Sequence, residues 1–89
     1  MGKYAFTDEG WENFLYWITE DRKKIKKINE LIKDIMRNGV DNGIGHPEPL
    51  KGDKSGWWSR HIDGGNRIVY RMRDGELEIA SCKEHYEDK

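Results

Sequence analysis

Residues 57–82 read WWSRHIDGGNRIVYRMRDGELEIASC, and this stretch decides the fold. Through RIVYRMR at 67–73 and on into 76–82 the side-chain pattern has a period of two, the signature of strands with one buried face. Asp63-Gly64-Gly65-Asn66 and Asp74-Gly75 interrupt it with residues suited to tight turns. The reading is three strands, at 57–63, 67–73 and 76–82, joined as an antiparallel meander. The tandem Trp57-Trp58 is expected to split across the sheet, one ring inward and one outward.

Upstream the period changes to that of a helix. Thr7 is placed to cap a first helix whose opening turn holds Asp8 and Glu9, both favourable at the positive helix end. Trp11, Phe14, Leu15 and Ile18 recur at i, i+3, i+4 and i+7 and are expected to face the core. Asp21 restarts the chain as a second helix with Ile25, Ile28, Ile32 and Ile35 inward and Leu31 and Met36 beside them. Arg37-Asn38-Gly39 stops it with a basic last turn and a left-handed cap. Residues 3–6 read as an opening strand, and residues 39–56, with five glycines and both prolines, as a long ordered loop. The expectation is one α+β domain over residues 1–89: two N-terminal helices packed on one face of a mainly antiparallel sheet.

Composition excludes several classes. The net charge is −1, from 16 Lys plus Arg against 17 Asp plus Glu, which read alone argues against a nucleic-acid partner. Distribution reverses that inference. Residues 22–37 carry seven basic side chains against Glu30 and Asp34, and residues 46–73 carry six against Glu48, Asp53 and Asp63. Acidic stretches at both ends offset these, so a phosphate-contacting face is compatible with neutrality. No apolar run approaches the ~20 residues of a membrane span, and no secretory signal opens the chain. The single cysteine, Cys82, rules out an internal disulfide and fits a reducing cytoplasm.

Four groups of residues are candidates for chemistry, each with an ordinary alternative. In Pro47-Glu48-Pro49 the prolines hold a carboxylate on rigid backbone, useful for a general base; otherwise this is a polar turn. Arg67 opens a strand after a glycine turn, where a guanidinium can chelate phosphate; otherwise it is a solvated rim arginine. Lys51, Arg60 and His61 add donors nearby. His85 suits proton transfer near neutrality and Tyr86 can stack on a base, or both are simply terminal and exposed. No metal site is expected, since Cys82 and His85 would point to opposite faces and no second close pair exists. Ser55, Ser59 and Ser81 lack the context of a nucleophile.

Taken together, KKINELIKDI at 26–35, HPEPLKGDKSGWWSR at 46–60, NRIVYR at 66–71 and the HY at 85–86 resemble the YoeB-type branch of the RelE toxin family, with WENFLYW at 11–17 fitting as well. These are ribosome-dependent mRNA interferases of bacterial toxin–antitoxin systems, with a RelE-like, microbial-ribonuclease-like fold. The resemblance implies a catalytic set of Glu48, Arg67, His85 and Tyr86 and substrate contacts at Lys51, Arg60 and His61. At His61 the chain departs from the family, where a second arginine is common. It further implies metal-free and cofactor-free cleavage of A-site mRNA on the 70S ribosome through the RNA's own 2′-hydroxyl, a homodimer, and neutralisation by a YefM-like antitoxin. The competing expectation is a non-catalytic module that binds ribosome or antitoxin and blocks translation by occupancy.

Overall fold

The chain enters as strand β1 (Lys3–Phe6), and Thr7 caps helix α1 (Asp8–Glu20), its hydroxyl accepting from the Gly10 N–H at 3.1 Å. The computed structural model describes residues 3–84. Extended backbone at Asp21 ends α1, and the same residue caps α2 (Arg22–Asn38) by accepting from the Lys23 N–H at 3.1 Å. Gly39 stops α2 at φ 95°, a conformation that side chains disfavour. Strands β2 (Glu48–Pro49), β3 (Trp58–His61), β4 (Arg67–Arg73) and β5 (Glu76–Ser81) follow, with a short 3-10 turn at Gly52–Lys54.

The five strands form one sheet in the order β1-β5-β4-β3-β2, antiparallel except for the parallel pair β1–β5. The expected α+β architecture and meander are therefore present. Two details differ. β3 is shorter than residues 57–63 because its ends serve the neighbouring turns. Trp57 O accepts from the Leu50 N–H at 2.9 Å, and the Asp63 carboxylate turns in to accept from the Gly65 and Asn66 N–H groups, each at 2.8 Å. The long loop also contains an edge strand, β2, in which Pro49 costs no interior ladder bond.

The core lies between the helices and one sheet face. Ile28, Leu31, Ile32 and Ile35 of α2 meet Ile68, Tyr70, Leu77 and Ile79; Met36 flanks them as expected, while Ile25, expected inward, is only partly buried beside them. Trp58 joins this core, while Trp57 packs beneath Arg71 with its guanidinium carbon 4.3 Å from the ring centroid. Burial pushes the Cys82 thiol up to about 12, leaving an unreactive side chain rather than a nucleophile.

The inward face of α1 is not the expected one. Trp11, Leu15 and Ile18 are 48%, 44% and 36% exposed, and the buried residues are Gly10 and Trp17, with Phe14 partly covered. The reason is a close approach of backbones: a Cβ on Gly10 would stand 2.5 Å from Ile79 O. With Gly10 against β5, the residues at i+3 and i+7 become Asn13 and Trp17. Both bond the strand end, Asn13 Oδ1 accepting from the Cys82 N–H at 2.9 Å and Trp17 Nε1 donating to Cys82 O at 2.8 Å. Gly10→Ala is expected to cost about 1–3 kcal/mol through forced separation of α1 from β5, read as a lower urea midpoint.

A second expectation follows from Lys24 of α2, which donates to Asp63 at 2.9 Å and ties the helix to the β3–β4 turn. The Lys24 hydrogen bond, outweighing partial burial and aided by the Gly65 and Asn66 donors, lowers the Asp63 carboxyl from 3.8 to about 2. Its folded value lies below its unfolded one, so this contribution is complete above 3.8 and is lost as pH falls towards 2. Urea midpoints measured across that window should fall, and fall less steeply in Asp63→Asn.

Candidate active site

Cross-strand register sets one group of side chains on the sheet face away from the helices. Glu48 pairs with Ser59, Ser59 with Val69, and His61 with Arg67, while Ile68 and Tyr70 point into the core. Glu48, His61 and Arg67 thus come together from three strands, though 19 residues separate the first from the last. Glu48 Oε1 lies 3.7 Å from Arg67 Nη1, with the carboxylate side chain 59% exposed and the arginine side chain 20% exposed. Arg67 Nε is buried and has no hydrogen-bond partner among the described residues. The guanidinium, in ion-pair range of the carboxylate at one nitrogen and partly open to solvent, can present donors to an anion there.

His46, Pro47, Glu48 and His61 line an open pocket of about 550 Å³. His46 takes left-handed backbone at φ 56°, and its ring meets His61 edge-on with centroids 5.8 Å apart. Lys51 is exposed and precedes the 3-10 turn, outside the residues lining this pocket. His85 and Tyr86 lie outside the described residues. Glu84, one position earlier in sequence, is fastened to the start of β4: its N–H donates to Asn66 Oδ1 at 2.6 Å, and its carbonyl accepts from the Arg67 N–H at 3.2 Å. Among the described residues no group of three or more His, Cys, Asp or Glu is placed to hold a metal ion.

Arg60 corrects the sequence-based expectation of a phosphate contact. Its side chain is 0% exposed and turned towards α2, on the opposite sheet face from Glu48. All five of its donors are used. Nε donates to Tyr70 Oη at 2.9 Å, Nη1 to Asp34 Oδ2 at 2.5 Å and Ile44 O at 3.1 Å, and Nη2 to Gly39 O and Asn42 O, each at 2.8 Å. A guanidinium so placed has no free edge for a substrate.

The other members of this cluster, Asp34 and Tyr70, were not singled out in the sequence. Tyr70 Oη donates to Val40 O at 2.6 Å, and Asp34 Oδ2 accepts from the Ile44 N–H at 3.0 Å. Burial alone would raise the Asp34 carboxyl, but the bonds from Arg60, Ile44 and Asn38 and the arginine charge hold it below 3.8. The available signal was Tyr70 itself: alternation puts it on the buried face, where its hydroxyl needs a partner. A Cβ on Gly43 would fall 1.9 Å from Asp34 Oδ2, so a glycine is required where the loop crosses the carboxylate.

Two helices thus cover one face of a five-stranded sheet, and the carboxylate–arginine pair lies on the face they leave uncovered. A family model described as the YoeB-like toxin of bacterial type II toxin–antitoxin systems matches residues 6–86, and the chain belongs to that family. Toxin YoeB of Streptomyces coelicolor is 49% identical over 84 residues, covering 94% of this chain and 99% of the relative. Among solved structures, a YoeB dimer from Staphylococcus aureus superposes with a TM-score of 0.89 at 45% identity, covering 94% of this chain and 97% of that one. A heterotetrameric YoeB–YefM complex from the same organism gives 0.89 at 44% identity, covering 97% and 99%.

Asp34→Ala leaves the Arg60 charge buried without its carboxylate and is expected to cost about 3–5 kcal/mol, measured by urea unfolding.

Proposed function

We propose that this protein is a metal-free endoribonuclease that cleaves mRNA in the ribosomal A site and so arrests translation. The observation that carries the reading is the Glu48–Arg67 pair at 3.7 Å, with both side chains open to solvent in part. A base beside a partly exposed guanidinium is what transesterification at phosphorus needs from its protein. Family membership supports the same chemistry.

In the proposed reaction Glu48 takes the proton of the 2′-hydroxyl, and the 2′-oxygen attacks the adjacent phosphorus. The bond to the 5′-oxygen breaks as His85 delivers a proton to it. The products are a 2′,3′-cyclic phosphate and a 5′-hydroxyl, with no other reactant consumed. Arg67 donates to the non-bridging oxygens as charge gathers on them, a role typically worth about 10²–10³ in rate. Tyr86 orients or stacks the target base, and Lys51 and His61 meet the phosphates on either side. His61 offers a ring N–H where the family commonly has a second arginine.

The assemblies follow from the relatives. The Staphylococcus aureus structures are a YoeB dimer and a YoeB–YefM complex, and they support a homodimer restrained by a YefM-like antitoxin here. Exposed Tyr4, Trp11, Leu15 and Ile18 provide apolar surface that such assembly would cover. The ribosome places the activity in the cytoplasm; no described helix is long and apolar enough to cross a membrane.

Primer extension on ribosome-bound mRNA tests the reading. A new 5′ end within the A-site codon is expected, and it should vanish when the scissile nucleotide carries 2′-hydrogen. Glu48→Ala, Arg67→Ala and His85→Ala should each lower single-turnover cleavage by about 10²–10⁴ with the fold retained. Stalled ribosomes without a new end would instead favour inhibition by occupancy.

A further inference from the structure

We propose that the buried Arg60–Asp34–Tyr70 cluster is a positioning device for Glu48: it fixes where the base stands relative to Arg67 and never touches substrate. The inference deepens the nuclease reading and rests on Glu48 being the base.

The main-chain acceptors that Arg60 and Tyr70 collect are not scattered over the molecule. They are the carbonyls of Gly39, Val40, Asn42 and Ile44, in the one segment that joins the end of α2 to His46-Pro47-Glu48. Asp34 takes the Ile44 N–H from the other side, and the His61 N–H donates to Gly45 O at 2.7 Å. That segment contains Gly39, Gly43 and Gly45, all at positive φ, a backbone that would behave as a loose tether if left unbonded. Apolar packing does little for it: Ile44 is 45% exposed, and only Val40 reaches the core. Polar bonds from three buried or half-buried side chains therefore hold the loop.

The tether is short. Ile44 stands four residues before Glu48, and Pro47 and Pro49 fix φ on either side of the carboxylate. β2 itself contributes only the pairs Glu48↔Ser59 and Pro49↔Trp58, too small a ladder to define the approach to Arg67 alone. A shift of the loop therefore reaches the base almost undiminished. The device and the site share β3: Arg60 faces the helices, while Ser59 and His61 on either side of it face the site.

Arginine is needed because the geometry uses a planar fork with five donors; lysine keeps the charge, and with it the attraction to Asp34, but has three donors and no fork. Arg60→Lys thus separates geometry from charge. The experiment is a double-mutant cycle of Arg60→Lys with Glu48→Gln in the full chain, measuring kcat and KM on programmed ribosomes at a temperature where unfolding curves show every variant folded. Arg60→Lys is expected to lower kcat about tenfold or more with KM within about twofold, since misplacement by about 1 Å costs that much. In the Glu48→Gln background the same substitution should change kcat by less than about twofold, because no base remains to be misplaced.

Tyr70→Phe, which removes only one hydroxyl from the cluster, goes through the same cycle with a smaller loss and the same non-additivity expected. It answers the question should Arg60→Lys not fold. An unchanged kcat in both cluster variants would overturn the proposal, as would an equal loss with and without Glu48. Full activity of Glu48→Gln alone would remove the base reading first and the proposal with it, an outcome distinguishable because it involves no change at Arg60.

Discussion

Arg60 carries a full positive charge at a position with no solvent exposure, and taking such a charge out of water costs several kcal/mol unless every donor is matched. Only one of its acceptors is ionic. Asp34 supplies the countercharge, Tyr70 supplies a hydroxyl, and the remaining three donors end on backbone carbonyls of residues 39–44. The requirement therefore works in two directions: the loop neutralises the arginine's desolvation, and the arginine gives the loop one conformation. A hydrophobic replacement of similar volume could fill the space, but it would give those carbonyls nothing to bond. The helix α2, the glycine-rich loop and the β3–β4 hairpin all meet at this one side chain.

From that junction the site is a short step. β3 sends Arg60 to one face and His61 to the other, so the strand that anchors the loop also frames the pocket it leads to. Glu48 arrives on β2 and Arg67 on β4, flanking β3. The net charge of −1 says nothing of this arrangement. What bears on a polyanion is that Arg67 keeps part of its side chain exposed while Arg60, nominally another basic group beside it in the pattern, is entirely consumed inside.

Much of the fold was legible because its signals are local. Thr7, Asp21 and Gly39 bound the helices as capping chemistry requires, and Arg67–Arg73 begins and ends where the turns place it. The misreadings have a common cause, contacts that periodicity does not contain. Gly10 has no side chain to enter a hydrophobic pattern, yet its absence of a Cβ sets the face of α1 and leaves Trp11, Leu15 and Ile18 outside. The family resemblance implies a phosphate contact at Arg60, although carrying the period of two across from β4 aligns it with Ile68 on the buried face. Its acceptors are mostly main-chain carbonyls, which no sequence spells. The Glu48–Arg67 meeting depends on β2 joining the sheet edge, and only the resemblance of PEPLK and RIVYR to a family brought those residues together beforehand.

Amide hydrogen exchange at Ile44 and His61 tests most directly whether the buried arginine holds the base loop. These two amides donate to Asp34 Oδ2 and Gly45 O, the bonds through which the loop is fastened. If the cluster locks the loop, both should exchange only with the global unfolding of the core, at the rate of Ile68 and Leu77. Exchange at Ile44 near the free-peptide rate, in a protein whose core amides remain protected, would contradict the account.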